Sequence, residues 1–396
     1  MNMNEQMKES EESILHTYNR FPVVFEKGQG CCLYDSEGKE YLDFAAGIAV
    51  NSLGYHYPGY DEALKDQIDK LMHISNLYYN EPIIEAGAKL VKASKMSKAF
   101  FTNSGTEAIE GALKAAKKYA YVRDGHADHE IIAMNHSFHG RSIGALSVTG
   151  TAHYREPFEP LMGGVKFADF NNLESVKAQI TDKTCAIITE VVQGEGGIYP
   201  AKKEFLEGLR QICDEKDIML IFDEIQCGMG RTGHYFAWQA YGVQPDIMTS
   251  AKALGCGVPV GAFVLGEKAA KASLEPGDHG TTYGGNPFVC AAVSKVFDIY
   301  ENDKIIEHVQ EMTPYLEQKL DEIVAKHECA ATRRGMGFMQ GIVIQGRPVG
   351  EVVKAALAKG LLVISAGSDV LRIVPPLVIT KEHIDKMAAI LDECME

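Results

Sequence analysis

Short apolar runs alternate with amphipathic stretches through the middle of the chain. The apolar runs that predict strands lie at 99–101, 130–134, 185–189, 218–222 and 260–266. After the first of them, residues 105–120 place their apolar side chains on one face of a helix. Strands that are apolar throughout and alternate with helices are typical of a mostly parallel sheet that helices cover on both faces. We therefore predict an α/β fold for this region.

Beyond residue 300 the pattern changes to longer amphipathic helices and short strands. Apolar residues recur every three or four positions on both sides of Pro314, and Thr313 followed by Pro314 predicts the start of a new helix there. Strand-like runs at 341–344 and 361–364 flank a helix at 347–359, which the glycine that follows it, Gly360, is expected to end. This alternation indicates a smaller α+β unit.

These patterns divide the chain into three predicted parts. An N-terminal segment, 1–50, contains a β-hairpin at 31–44, where apolar and polar positions alternate around a Ser-Glu-Gly-Lys turn. A large α/β domain follows at 51–295, and a small α+β domain occupies 296–396.

Charge and composition exclude several classes of partner. The 396 residues include 39 Lys and Arg against 54 Asp and Glu, a formal charge of −15, and the basic residues form no run. Nucleic acid and anionic membranes are therefore poor partners. No stretch approaches the roughly 20 apolar residues that a membrane span needs, and the acidic N-terminus resembles neither a secretion signal nor a transit peptide. Nine cysteines without a CxxC pair predict free thiols in a reducing cytoplasm.

The segment TNSGTEA at 102–108 follows a predicted strand and opens a predicted helix. Free backbone N–H groups and the positive end of the helix dipole suit a phosphate at such a position. Gly105 allows close approach, and Thr106 adds a hydroxyl group. The alternative is an ordinary helix start that Asn103 or Ser104 caps.

Two further predicted strands end on residues that carry chemistry. Asp223 follows the apolar run 218–222, where a carboxylate is well placed to hold a proton on a heterocyclic nitrogen. Lys252 lies among Ala251, Ala253 and Leu254, so its pKa is expected to be lowered and its amine to form Schiff bases readily. Taken singly, the alternatives are a surface-loop aspartate and a lysine whose head reaches water.

The segment HSFHGRS at 136–142 offers an aromatic ring and a cation. Phe138 is suited to stack on a flat ring, and Arg141 is suited to bind a carboxylate with two parallel hydrogen bonds. His136 and His139 invite a metal interpretation, but no Asp, Glu or Cys accompanies them at ligand spacing. We therefore predict no metal site.

The order of five motifs along the chain resembles the class III aminotransferases of fold type I, which use pyridoxal 5′-phosphate (PLP). The motifs are SGTEA at 104–108, SFHGR at 137–141, DEIQCGMGRTG at 223–233, SAKALG at 250–255 and TTYGGN at 281–286. The resemblance extends from the hairpin at 31 to LRIVPPL at 371–377. It implies a PLP-dependent transaminase of α/β fold with a smaller α+β domain.

The resemblance also implies a role for each matching residue. Lys252 is the catalytic lysine that carries PLP and transfers a proton, and Asp223 pairs with the pyridine nitrogen. Gln226 contacts the ring oxygen, Phe138 lies on the ring face, and residues Gly105 and Thr106 hold the phosphate. In the family the second threonine of TTYGGN, Thr282 in this sequence, reaches the phosphate of the neighbouring subunit. The resemblance therefore implies a homodimer with shared active sites, and Thr281 is expected near the substrate.

The substrates implied by the resemblance are small amino and keto acids. Arg141 is expected to bind the α-carboxylate of an ω-amino donor. Arg372 matches the arginine that binds the α-carboxylate of glutamate, and Glu195 matches the acidic gate that covers that arginine. The alternative for these three residues is an ordinary network of ion pairs.

Within the family, the segment at 44–58 resembles the acetylornithine aminotransferases of arginine synthesis. Ornithine δ-aminotransferases carry a tyrosine where Gly47 stands, and glycine followed by Ile48 leaves room for an acylated amine. The expected reaction moves the terminal amino group of N2-acetyl-L-ornithine to 2-oxoglutarate. Cys256 and the run 258–260 depart from the family pattern, which puts the fine shape of the pocket in doubt.

Other functions remain open at this point. Within the family the alternatives are ornithine, succinylornithine, 4-aminobutyrate or an acylated lysine precursor as the amine donor. Gly228, Gly230 and Gly233 fit the GxGxxG pattern of a nicotinamide-dependent dehydrogenase, with Asp246 at about the right distance. The stretch after Gly233 is too short for the helix that this pattern requires. A non-catalytic relative would need neither Lys252 nor a paired aspartate.

Overall fold

A computed structural model describes residues 3–396 of the chain. Its strands are β1 (Phe25–Gln29), β2 (Cys32–Asp35), β3 (Glu40–Asp43), β4 (Lys98–Thr102), β5 (Glu130–Met134), β6 (Val165–Ala168), β7 (Thr184–Glu190), β8 (Val192–Gln193), β9 (Tyr199–Pro200), β10 (Met219–Asp223), β11 (Ile247–Ser250), β12 (Gly261–Leu265), β13 (Ala330–Met336), β14 (Met339–Ile344), β15 (Leu361–Leu362), β16 (Ile364–Ala366) and β17 (Val370–Ile373).

The helices lie between these strands and at both ends of the chain. They are α1 (Met3–Ser13), α2 (Ala46–Ala49), α3 (Tyr60–Lys70), α4 (Glu81–Ser94), α5 (Gly105–Asp124), α6 (Ile143–Ser147), α7 (Ala152–Arg155), α8 (Leu173–Gln179), α9 (Lys203–Lys216), α10 (Trp238–Tyr241), α11 (Glu267–Lys271), α12 (Pro287–Asn302), α13 (Ile305–Lys326), α14 (Val349–Ala358) and α15 (Lys381–Met395). Within residues 3–396, no helix combines the length and the apolar character that crossing a membrane requires.

A seven-stranded sheet forms the centre of the molecule, in the order β4-β12-β11-β10-β7-β5-β6. The pairs β11–β10, β10–β7, β7–β5 and β5–β6 are parallel, and only β12 runs antiparallel to its neighbours. All residues of β7 and β10 are buried, as expected for strands covered on both faces. The predicted mostly parallel sheet is confirmed.

Alternate side chains of β10 enter two separate apolar cores, one on each face of the sheet. Leu220 and Phe222 pack in a cluster that includes Leu206 of α9, whereas Met219 and Ile221 pack in a cluster that includes α5. Successive side chains of a strand point to opposite faces, so helices must cover both sides to bury this apolar run. The prediction of helices on both faces is therefore confirmed.

The C-terminal part contains an antiparallel sheet in the order β13-β14-β17-β16, against which α13 and α14 pack, and α15 packs on these two helices. The predicted hairpin is confirmed as β2 paired with β3, and β15 adds to β3 in parallel, with Leu361 opposite Leu42. The N-terminal segment is thus joined to the C-terminal part through one sheet. The division at residues 50 and 295 stays a prediction.

The prediction of a helix start at Thr313 and Pro314 is wrong, because α13 runs without interruption from Ile305 to Lys326. Proline lacks the N–H group that would bond the carbonyl four residues earlier. The hydroxyl of Thr313 donates to the carbonyl of Val309 at 2.6 Å inside this helix. Six buried apolar residues hold the whole length of α13 against the core, and this packing outweighs the loss of one hydrogen bond.

Candidate active site

The carboxyl ends of the central strands open onto one cavity of about 490 Å³. Seven of the eleven site residues predicted from the sequence line it, and they come from four separate segments of the chain. These seven are Gly105, Thr106, Phe138, Arg141, Asp223, Gln226 and Lys252. In parallel sheets ligands bind at this edge, so the position suits a small-molecule site.

The cavity wall begins with the first turn of α5. Ser104 caps this helix by accepting a hydrogen bond from the backbone N–H of Glu107 at 3.3 Å, so the capped-helix interpretation is right. It does not exclude an anion site, because the next N–H groups have no partner within the helix. A β-carbon at Gly105 would lie 2.9 Å from Cδ1 of Ile225, so only glycine keeps this wall close. The hydroxyl of Thr106 lies 2.7 Å from that of Ser142.

Asp223 ends β10 with 3% of its surface exposed, and the surface-loop alternative is wrong. Its Oδ1 accepts from the backbone N–H of Ile225 at 3.0 Å and from the hydroxyl of Thr249 at 3.1 Å. Nδ1 of His139 donates to its Oδ2 at 2.7 Å. The Nε2 atom of His139 is buried and has no partner among residues 3–396. The carboxylate is therefore held in one orientation at the cavity wall.

Lys252 follows β11 and lines the cavity, so the alternative in which its head reaches away into water is wrong. Its backbone adopts a left-handed φ of 51°, an unfavourable conformation of the kind found at functional sites. Within the described chain, no hydrogen bond or ion pair reaches its ammonium group. Burial lowers the pKa of Lys252, and the negative charge of Glu195 opposes this shift in part. The predicted lowered pKa is confirmed in direction.

Phe138 and Arg141 both line the cavity, and Arg141 packs against two aromatic rings. The guanidinium carbon of Arg141 lies 4.0 Å from the ring centroid of Tyr154 and 5.3 Å from that of Phe138. Such stacking orients a guanidinium group without using its N–H donors on a carboxylate. No acidic side chain of residues 3–396 pairs with Arg141, which is exposed at the cavity mouth.

Glu195 and Arg372 form an ion pair next to the cavity, with Gln226 between them and the cavity. Nη1 of Arg372 donates to Oε1 of Gln226 at 3.0 Å, and Nε2 of Gln226 donates to Oε1 of Glu195 at 3.4 Å. Burial works to raise the pKa of Glu195, but the charge and hydrogen bonds of Arg372, together with the charge of Lys252 and the hydrogen bond from Gln226, outweigh it, so the pKa lies below its ordinary value. The carboxylate therefore stays ionised over the arginine.

Thr281 and Thr282 lie outside the lining of this cavity. The hydroxyl of Thr281 accepts from the side-chain amide of Asn103 at 3.2 Å, and Asn103 is itself a lining residue. Thr282 is exposed. The roles of these two residues stay predictions.

Two residues of the site were not predicted from the sequence. The sequence suggests only a metal-binding role for His139, and it indicates no role for Glu190, which lines the cavity. Burial raises the pKa of Glu190 to about 7. The signal for Glu190 was present, since it ends the apolar strand β7 just as Asp223 ends β10, and the two residues are register partners.

Neither Gly47 nor Cys256 is among the residues that line the cavity, and the role expected for Gly47 stays a prediction. Gly47 is exposed in a turn in which Ala46, Gly47, Ile48 and Ala49 all have left-handed φ values between 48° and 66°. Cys256 does not line the cavity, because its Sγ accepts a hydrogen bond from the backbone N–H of Leu53 at 3.3 Å. The run 258–260 does line the cavity and is the part of this departure that bears on its shape.

The dinucleotide interpretation of the glycine-rich loop is wrong. The helix that follows Gly233 is α10, which has four residues. Asp246 is already engaged, because it accepts from the backbone N–H of Leu220 at 2.8 Å and pairs with Arg210 at 2.9 Å. Arg231 of the loop donates instead to the carbonyls of Phe338 and Pro375, which tie the loop to the C-terminal part.

Comparison with known proteins gives consistent matches over almost the whole chain. The family described as aminotransferase class-III matches residues 14–395. The acetylornithine aminotransferase of Clostridium acetobutylicum is 47% identical over 98% of this chain and 100% of its own length. The succinylornithine transaminase of Yersinia pseudotuberculosis is 44% identical over 94% of this chain and 92% of its own length. The crystal structure of N-acetylornithine aminotransferase from Stenotrophomonas maltophilia superposes with a TM-score of 0.84, at 35% identity and 98% coverage of both chains.

Proposed function

The chain belongs to the class-III aminotransferases, and from that premise we propose that it transfers the terminal amino group of N2-acetyl-L-ornithine to 2-oxoglutarate. The products are N-acetyl-L-glutamate 5-semialdehyde and L-glutamate. The observation that carries the proposal is the convergence of Lys252, Asp223 and the first turn of α5 on one cavity that opens next to an unpaired arginine.

Class-III aminotransferases depend on PLP, and the residues of the cavity fit that group. A half-buried amine without a hydrogen-bond partner faces the cavity at Lys252, and a buried carboxylate is fixed at Asp223. The first turn of α5 offers N–H groups beside Gly105, where a β-carbon would meet Ile225. When bound, PLP supplies an aldehyde that takes up an amino group and a ring that withdraws electrons from the reacting carbon.

The residues of this chain then hold and move protons. With PLP bound, Nζ of Lys252 would accept the proton from the substrate carbon next to the amine and then donate it again, and its lowered pKa makes the neutral base accessible. The carboxylate of Asp223, held by His139 and Thr249, keeps a proton on the ring nitrogen. Phe138 lines the cavity and would exclude water from the bound ring.

Two arginines divide the two half-reactions. In the first, Arg141 binds the α-carboxylate of the ω-amino donor while Glu195 covers Arg372. In the second, Glu195 moves away and Arg372 binds the α-carboxylate of glutamate or 2-oxoglutarate. The unpaired state of Arg141 and the closed pair of Arg372 with Glu195 support this division.

The same arrangement favours an acetylated donor over its alternatives. With Arg372 covered, Arg141 is the open cation at the cavity mouth, which suits a donor that carries one carboxylate. A succinyl group would add a second one. Gly47 supports an acylated α-amine because it provides no side chain to bind a free amino group. The similarity of this chain to several acetylornithine aminotransferases supports this choice.

We further propose that the functional unit is a homodimer. Leu77, Tyr78 and Tyr79 expose 86%, 64% and 96% of their surface, a contiguous apolar segment that a second copy would cover. Thr282 is exposed at a position from which it would complete a partner's phosphate site. Sedimentation should give a dimer, and Thr282→Val should weaken PLP binding without changing the mass. A monomer that binds PLP as tightly as the dimer would contradict this proposal.

The function is tested by comparing amine donors with 2-oxoglutarate as acceptor. N-acetylornithine is expected to give the highest kcat/KM among acetylornithine, succinylornithine, ornithine and 4-aminobutyrate. Free ornithine that exceeded the acetyl form by tenfold or more, about 1.4 kcal/mol of discrimination, would show the substrate assignment to be wrong. Borohydride reduction followed by peptide mapping is expected to place PLP on Lys252 and to find none in Lys252→Ala.

A further inference from the structure

We propose that Glu190 is a positioning residue whose buried carboxylate holds both Phe138 and the turn that carries Glu195. By holding them, it sets the ratio of the rates of the two half-reactions. This inference rests on the proposed function. It concerns a residue that neither binds PLP nor moves a proton in the scheme above.

Glu190 holds two loops through their backbones. Its Oε2 accepts from the N–H of Phe138 at 3.2 Å, and its Oε1 accepts from the N–H of Gly194 at 3.1 Å. Phe138 is the residue expected on the ring face, and Gly194 precedes the gate residue Glu195. One side chain with 4% exposure therefore connects the ring-stacking loop to the gate turn.

The two loops are also fitted closely to each other. Nε2 of Gln193 donates to the carbonyl of Asn135 at 2.9 Å, and a β-carbon at Gly196 would lie 2.6 Å from the carbonyl oxygen of His136. A β-carbon at Gly194 would lie 2.5 Å from Cδ of Gln226, the residue that bridges the gate pair. A shift of the gate turn is thus transmitted to both the ring-stacking loop and Gln226.

The carboxylate is retained although its position disfavours a charge. The charged or titratable groups that face it are His139, Asp223 and Lys252, and none of them forms an ion pair with it in residues 3–396. Burial raises the pKa of Glu190 to about 7. Burying a carboxyl group without a paired cation costs free energy unless its oxygens accept hydrogen bonds. Here the two acceptors serve the two backbone N–H groups.

Replacement of Glu190 by glutamine changes the hydrogen bonding of the side chain but hardly changes its shape. An amide has one acceptor oxygen, and its NH₂ group would face a backbone N–H, donor against donor. One of the two loops must lose its anchor. Loss of the Gly194 anchor loosens the cover that Glu195 places over Arg372. An uncovered Arg372 competes for the carboxylate of the ω-amino donor, whereas the glutamate half-reaction needs it uncovered.

The test is a single-turnover comparison in the PLP-loaded protein, in which the absorbance of the cofactor reports each half-reaction separately. The measured quantity is the ratio of the rate constant with acetylornithine to the rate constant with glutamate. We expect Glu190→Gln to lower this ratio at least fivefold. Glu224→Gln is the matched control. Glu224 is also buried, its pKa is also raised to about 7 by burial, and it also accepts two backbone N–H groups, those of Ala237 and Trp238, away from both loops. Its ratio is expected to stay at the wild-type value.

A second variant leaves Glu190 in place and covers the case in which Glu190→Gln does not fold. Gly194→Ala introduces a β-carbon against Gln226 and moves the turn away from Glu190, so the ratio should fall in the same direction. Equal losses in both half-reactions, or an equal shift in Glu224→Gln, would overturn the inference alone. A wild-type protein without any ω-amine half-reaction would instead overturn the proposed function.

Discussion

Arg372 and Glu195 lie 177 positions apart in the chain and face each other in the structure, with Nη1 2.5 Å from Oε1 and Nη2 3.3 Å from Oε2. Arg372 ends up 3% exposed, and Gln226 accepts a third hydrogen bond from its Nη1 atom. A buried guanidinium group whose two Nη atoms both donate to one carboxylate cannot bind a second carboxylate through them at the same time. Glu195 therefore covers the guanidinium group of Arg372 in this structure. Arg372 can bind a substrate carboxylate only after Glu195 moves.

Arg372→Ala is expected to impair the glutamate half-reaction by roughly 10²-fold, because a charge-assisted, two-pronged interaction with the α-carboxylate is lost. The ω-amine half-reaction should fall far less, since Arg372 is covered during it. Single-turnover kinetics with each substrate measure the two effects. Arg333→Ala is the control, because Arg333 is also a partly buried arginine paired with carboxylates, those of Asp321 and Glu317, but it does not line the cavity. Equal losses in both half-reactions would contradict the gate.

Asp223→Asn is expected to lower kcat by about 10²–10³-fold, the usual effect of losing one preorganised electrostatic partner of the transition state. Asparagine has nearly the same shape but carries no charge to keep a proton on the ring nitrogen. PLP should still attach to Lys252, which borohydride trapping would verify. Thr249→Val removes only the hydrogen bond to Oδ1 and should cost less than tenfold. Similar losses in the two variants would mean that the charge of Asp223 is not what matters.

Residues at the ends of strands were predictable from local patterns. Asp223 and Lys252 each follow a short apolar run, and parallel strands bring such ends to one edge of a sheet. The same pattern was available for Glu190 at the end of β7. The pattern does not reveal the role of Glu190, because that role depends on two backbone N–H groups from loops that are far apart in the sequence.

Long-range packing determines two features that local sequence patterns do not predict correctly, the continuity of α13 and the position of Cys256. Pro314 indicates a helix boundary by its own chemistry, but the buried face of α13 continues through it. Cys256 stands in a motif next to Lys252, yet its Sγ turns to the N–H of Leu53, about 200 residues away in the chain. Neither outcome depends on neighbours in the sequence, so only the folded chain reveals it.

The pH dependence of PLP attachment should follow the charges around Lys252. The neutral amine is the reactive form, and burial lowers its pKa, so attachment to the cofactor-free protein should be half-maximal below the value of about 10.4 for an ordinary lysine. Glu195 raises this pKa and Arg372 lowers it. Glu195→Gln should therefore shift the profile to lower pH and Arg372→Ala to higher pH. Shifts of the same sign in both variants would show that these charges do not act on Lys252.

Gly47 allows a direct test of how the protein selects its amine donor. Four consecutive residues, 46–49, have left-handed φ values, a conformation that costs an L residue roughly 1–2 kcal/mol. Only glycine avoids this cost. A β-carbon at Gly47 would lie 3.3 Å from Nδ2 of Asn51, which has to give way by a few tenths of an ångström. Any side chain placed here therefore carries a moderate penalty in stability before it contacts a substrate.

Gly47→Tyr should lower the ratio of kcat/KM for acetylornithine to that for ornithine by at least tenfold, because the ring fills space left for the acyl group and its hydroxyl offers a partner for a free α-amine. Gly47→Ala is the control, since it adds the same backbone penalty without the ring. Both variants should lose similar stability, of the order of 1 kcal/mol, in thermal unfolding. Only the tyrosine variant should change the donor ratio. If alanine changed it equally, the left-handed turn itself, and not the absent side chain, would govern the choice between the two donors.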